Sequence, residues 1–123
     1  MDIAIWERFL ETYGNSYKGF DYDVKVGTGS TIPENTPPEY ARMQDILSKF
    51  RIDVVGFRSS SIEIIEVKPE ASTVAIGQVI AYRALYERDF KPTLTVRGVI
   101  ITDHEVPDIK YLTSILGFEY YIV

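Results

Sequence analysis

Cysteine is absent from the 123 residues, and histidine occurs once, at His104. The first absence excludes disulfide frameworks, zinc–thiolate sites and thiol nucleophiles. The second excludes a histidine-rich metal site within one chain. Any metal bound here is held by oxygen ligands, which favours hard ions such as Mg²⁺ or Mn²⁺. Excess positive charge is also missing. Lys plus Arg number 13 against 18 Asp plus Glu, a net charge of −5. That is not the profile of a general nucleic-acid coat or a polybasic membrane binder, but it is compatible with an enzyme whose active site is itself acidic. No apolar run is long enough for a transmembrane helix. The opening MDIAIWERFLE carries acids where a signal peptide needs bases. The expectation is a cytoplasmic protein with no membrane partner, and the small size points to a microbial or viral source.

What is present supports one folded domain over residues 1–123. The hydrophobic fraction of 46% argues against disorder, and a chain of this length buries about two-thirds of its surface without staples. Asp2 can cap a helix over 3–13, with Ile3, Trp6, Phe9, Leu10 and Tyr13 as one apolar stripe. Phe20 to Val26 alternates as a half-buried strand. GTGSTIPENTPP, residues 27–38, reads as a flexible loop. A helix over 39–50 would carry Tyr40, Met43, Ile46 and Leu47 on one side. Residues 51–57 and 62–68 form a hairpin around RSSS. Ser72 or Thr73 caps a helix running to about Arg88. TVRGVIIT (95–102) is a buried strand, 108–116 a short helix and 118–123 a closing strand. The expected class is α/β (α+β), a central mixed sheet flanked by helices.

The hairpin carries the chemistry. If Phe57 faces Ile62 across the loop, Val55 faces Ile64, Asp53 faces Glu66 and Arg51 faces Lys68. Directly opposed residues have Cβ atoms about 4.5–5.5 Å apart, and like charges so placed repel. A divalent cation offsets that repulsion directly, because Mg²⁺ is typically held by one or two carboxylates plus waters. Lys68 shares the face of Glu66 and can orient a water or stabilise charge on a phosphoryl oxygen. The competing reading is a charge lattice, in which Arg51, Asp53, Glu66 and Lys68 neutralise one another. Gln78 and Tyr82, four apart, share a helix face that starts a few residues after Lys68. His104, between Asp103 and Glu105, reads as a solvated loop residue.

Asp53, then Glu66-Val67-Lys68, then Gln78-x-x-x-Tyr82 resembles the PD-(D/E)XK nuclease superfamily, in particular its RecB-like branch with a Q-x-x-x-Y motif. The likeness is carried by IDVVGFRSSSIEIIEVKPEASTVAIGQVIAYRALY, residues 52–86. The resemblance implies a restriction-endonuclease-like αβββαβ core. It implies that Asp53, Glu66 and the Val67 carbonyl bind Mg²⁺ or Mn²⁺, that Lys68 positions or activates water, and that Gln78 and Tyr82 support the site. Many members add an acid from the first helix. Here Glu7 borders the apolar stripe and Glu11 lies nearly opposite, so Glu7 is the better candidate. One departure is Ile52, where the family motif has Pro before the first acid.

The reaction so implied is hydrolysis of phosphodiester bonds of DNA, single-stranded, flap or branched, with RNA as a further possible substrate. Arg42, Lys49, Arg51, Arg58 and Arg83 are the candidate phosphate contacts. A homo-oligomer or larger complex would supply contact surface that a small acidic chain lacks. The alternative is a catalytically silent protein of the same fold acting as a binding or assembly module. Metal-dependent turnover separates the two.

Overall fold

The computed structural model describes residues 1–29 and 32–123, together with every side chain in them except those of residues 45–48. In chain order the elements are α1 (Ile3–Tyr13), a short 3₁₀ turn (Gly14–Ser16), β1 (Gly19–Val26), α2 (Pro38–Ser48), β2 (Phe50–Phe57), β3 (Ser61–Val67), α3 (Thr73–Phe90), β4 (Thr95–Thr102), α4 (Pro107–Leu116) and β5 (Glu119–Ile122). The five strands lie in the order β1-β2-β3-β4-β5. The first three form an antiparallel meander. β4 and β5 then add in parallel, each after a helical crossover, as parallel neighbours require. This is the mixed sheet flanked by helices that the pattern of elements predicts.

All seven residues of β3 are buried. A strand covered on both faces reads as a continuous apolar run, which SIEIIEV does apart from its two glutamates. One face packs under α1: Ile5, Trp6 and Phe9 meet Val54, Ile65, Val67, Val99 and Ile101. The other packs under α3, where Tyr82 and Tyr86 meet Ile52, Val55, Ile62 and Ile64. α4 joins α3 on that side through Ile109, together with Phe118 just beyond its end. The hairpin register is the expected one, with Val54 opposite Ile65, Val55 opposite Ile64 and Phe57 opposite Ile62. Both expected caps of α1 and α3 form: Asp2 accepts from Ile5 N–H at 3.0 Å, and Ser72 from Val74 N–H at 3.2 Å.

Two expectations are corrected. In α1, Ile5 takes the buried place and Ile3 is exposed, because the helix meets the sheet along Ile5, Trp6 and Phe9. α2 ends at Ser48, and Phe50 already belongs to β2, where it pairs with Val26. Tyr40 and Met43 of α2 are 62% and 57% exposed; Ile46 and Leu47, expected on the same side, lie outside the described side chains. The loop expected over 27–38 runs to Pro37, with Ser30 and Thr31 outside the described residues.

One irregularity was invisible in the sequence. Asp23 sits in β1 at φ +56°, opposite Asp53, and the ladder omits this pair although the register is the same on both sides. Asp tolerates that conformation better than most residues. Across the interruption the facing alternation breaks: Ile52 packs beneath α3 and Val54 beneath α1. Asp53 occupies the point of the switch.

Candidate active site

The ladder between β2 and β3 stops at Val54 and Ile65. Beyond it, side chains replace backbone carbonyls as acceptors. Asp53 N–H donates to Glu66 Oε2 at 2.9 Å, and Val67 N–H donates to Asp53 Oδ2 at 3.0 Å. Each acid therefore satisfies the backbone of the opposite strand, and the two carboxylates are locked together at the strand ends. Lys68 Nζ lies 3.5 Å from Asp53 Oδ2 and 3.9 Å from Glu66 Oε1. The α-amino group of Met1 lies 3.7 Å from Asp53 Oδ1. The four-membered charge lattice does not form. Arg51 turns away to Asp23, at 3.1 Å.

Burial is unequal within the pair. Glu66 is 1% exposed, and loss of solvent pushes its carboxyl up to about 7 from the ordinary 4.5, with the Asp53 charge adding to the rise and Lys68 opposing it. A second glutamate on the same strand shows what satisfaction looks like. Glu63, facing α1, receives Arg58 Nε at 2.6 Å and the Tyr17 hydroxyl. Glu66 Oε1 and Asp53 Oδ1 accept no hydrogen bond among the described residues. Two carboxylate oxygens are thus left without a hydrogen bond, with the Met1 α-amino group 3.7 Å from one and Lys68 Nζ 3.9 Å from the other. That donor set fits a hard cation such as Mg²⁺, which takes one or two carboxylates and keeps several waters. Among the described residues, no group of three or more acidic or histidine side chains gathers to hold a metal.

α3 brings the Gln–Tyr pair to this point. Tyr82 is buried beside Glu66 and Asp53, and both burial and those charges push its phenol up. Gln78 stands one turn earlier and lines a cleft of about 360 Å³ with Lys68, Glu70, Ser72 and Ala75. Its Oε1 is buried without a hydrogen-bond partner among the described residues, the kind of vacancy that calls for a donor. The loop between Lys68 and α3 is held by β4: Asp103 accepts from Glu70 N–H at 2.8 Å, and Thr102 Oγ1 from Ala71 N–H at 2.9 Å. Glu70 takes a positive φ of +41° there. His104 is a solvent-facing partner of Asp103 at 3.0 Å, in keeping with a loop residue.

Several candidates are not gathered. Glu7 is exposed on α1 and outside any cluster with Asp53 and Glu66. The arc of α1 that meets the sheet is taken by Ile5, Trp6 and Phe9, which leaves Glu7, like Glu11, in solvent. Arg58 is a structural residue rather than a free phosphate contact. It lies at the hairpin, the opposite end of β3, bonded to buried Glu63 and Ser16 Oγ and stacked 4.0 Å over the Tyr17 ring. Arg58→Ala should therefore cost about 3 kcal/mol by stranding a buried carboxylate, read as a lowered urea midpoint. An unchanged midpoint would return Arg58 to the surface pool. Arg83 pairs with Glu87 at 3.4 Å. Arg42 is exposed on α2.

No family model and no curated protein matches this sequence. Solved structures do. A repair endonuclease from Pyrococcus abyssi superposes with a TM-score of 0.59 and 15% identity, covering 100% of this chain and 47% of its own. EndoMS in complex with double-stranded DNA gives 0.57 and 17% identity, covering 99% and 44%. A protein of unknown function gives 0.57 and 16%, covering 94% and 53%. The chain thus spans about half the length of these proteins, and its fold is that of nuclease-fold proteins. Among the described residues, no helix is long and apolar enough to cross a membrane.

Proposed function

We propose that the 123 residues form one nuclease domain of the PD-(D/E)XK type, of its RecB-like branch, that hydrolyses phosphodiester bonds of DNA with Mg²⁺ or Mn²⁺. The observation that carries this reading is the contrast within β3: Glu63 is fully partnered, whereas Glu66, equally buried, keeps one oxygen unbonded beside Asp53 and Lys68. Glu66 accepts one backbone N–H and has Lys68 Nζ only at 3.9 Å, and a buried carboxylate that is incompletely paired is costly unless a further cation offsets it. Asp53 Oδ1, Glu66 Oε1 and the Val67 carbonyl are the proposed ligands. The ion, when bound, supplies Lewis-acid polarisation of the scissile phosphate.

The chain's own groups do the rest. Asp53 and Glu66 are held rigid by the N–H groups they accept from the opposite strands, so little ordering remains to be done on binding. Among the described residues, Lys68 is the side-chain ammonium at the pair. It orients the attacking water and stabilises negative charge growing on the phosphoryl oxygens. Tyr82 walls the site on the α3 side, and Gln78 offers its orphan carbonyl to a donor on the substrate or a water. The fold likeness to endonucleases, one of them in complex with double-stranded DNA, supports DNA as the partner.

The test is a cleavage assay on single-stranded, duplex and branched DNA and on RNA, with Mn²⁺, Mg²⁺ or EDTA. Wild type should cleave at least one DNA substrate only with metal, and both Glu66→Ala and Glu66→Gln should be inactive. Folded wild-type protein that cleaves none of them, with either metal, would turn the reading to a silent binding module.

A further inference from the structure

Phe50 is the first residue of β2. It is 55% exposed. Its partner across the ladder, Val26, is buried under α3, so Phe50 faces the same side as the candidate site. The ring is backed, not free. It packs against Tyr82 with centroids 5.8 Å apart at 35°. Gly27, at φ +94°, passes beside it closely enough that a Cβ there would lie 3.5 Å from Phe50 Cδ2. Supported in this way, the ring is held in place while much of its surface stays open.

Charges of both signs lie near the ring. Next to Gly27, Asp89 accepts from the Gly27 N–H at 2.8 Å and from Arg88 Nε at 2.8 Å, and Lys49 adds its charge to the same carboxylate. Phe50 is three residues from Asp53 along β2, roughly 10 Å at strand rise. That is a few nucleotides at the ~3.4 Å stacked rise of one strand.

We propose that Phe50 is a stacking platform for an unpaired base of the substrate, a few nucleotides from the bond that is cut. A held, exposed aromatic face is a surface on which proteins stack the bases of single strands without reading sequence. The chemistry also selects. In a duplex both faces of an internal base are covered by its neighbours, so only a single strand, a flap or a frayed end can present a base to Phe50. The inference rests on the nuclease reading and narrows it to substrates with an unpaired segment at the site.

The experiment uses metal-free protein in EDTA, so that binding is read without cleavage. A fluorescein-labelled single strand and the matching duplex are titrated by anisotropy. A single strand carrying 2-aminopurine reports stacking by a change in emission. Wild type should prefer the single strand and alter 2-aminopurine emission. Phe50→Ala and Phe50→Leu should weaken single-strand binding about 10-fold, from a stacking contribution of about 1–3 kcal/mol per base, and abolish the emission change. Phe50→Trp should restore both. Leu keeps the packing on Tyr82, so equal binding by wild type, Phe50→Ala and Phe50→Leu would overturn the platform while leaving the nuclease reading intact. Metal-dependent cleavage confined to fully paired duplex would overturn it too. Absence of both DNA binding and cleavage in wild type would instead defeat the nuclease reading, and the platform with it.

Discussion

Lys68→Ala should lower metal-dependent cleavage by about 10²–10³-fold, the usual cost of removing one group aimed at developing charge. The fold should survive, because Lys68 makes its contacts at the strand end and is partly solvated. The same substitution removes the side-chain cation that opposes the burial of Glu66. Metal-free protein should therefore be slightly less stable than wild type above neutral pH, and added Mn²⁺ should restore much of that loss. Single-turnover cleavage together with thermal unfolding separates the two effects. Cleavage at the wild-type rate would reduce Lys68 to a counter-ion and leave the water without a positioning group.

Glu66→Gln should make the metal-free protein more stable, and the gain should depend on pH in a defined direction. Burial raises the Glu66 carboxyl to about 7 from 4.5. A raised acid favours the protonated native state, so its contribution is fully present below about pH 4.5 and is lost as pH rises through about 7. Glutamine has no such loss and still offers Oε1 to the Asp53 N–H. The variant's advantage should therefore open above about pH 4.5 and level off above about 7, at up to about 3 kcal/mol from the size of the shift. Chemical denaturation of both proteins in EDTA at pH 4.5, 6 and 8 measures it. A variant less stable than wild type at pH 8 would mean that Lys68 already offsets Glu66 in full, and the site would then have no need of a metal.

The structure explains which parts of this site were legible. Strand pairing has period 2, and a short hairpin leaves one sensible register, so the meeting of Asp53 and Glu66 follows from counting. Gln78 and Tyr82 follow from helical spacing and the short connection after Lys68. An amphipathic pattern shows a face without showing what covers it: on α2, Tyr40 and Met43 are both exposed. The helix was carried to Phe50 by the same pattern, and the residue that proves most interesting was counted as its last turn. Arg58 was misread because its partners Ser16 and Tyr17 come from a distant segment. The available signal was Glu63: an acid in the middle of a doubly buried strand needs a local cation, and Arg58 is the nearest in sequence. The switch of faces at Asp53 depends on Asp23 in a left-handed conformation, which nothing in the alternation of β1 announces.

The account turns on whether Asp53 and Glu66 share a cation. Calorimetric titration of Mn²⁺ into wild type and Glu66→Gln at pH 8 tests this without any substrate. The predicted result is one weak site in wild type, accompanied by stabilisation against heat, and neither in the variant. Identical titrations for the two proteins, or none in a well-folded wild type, would contradict it.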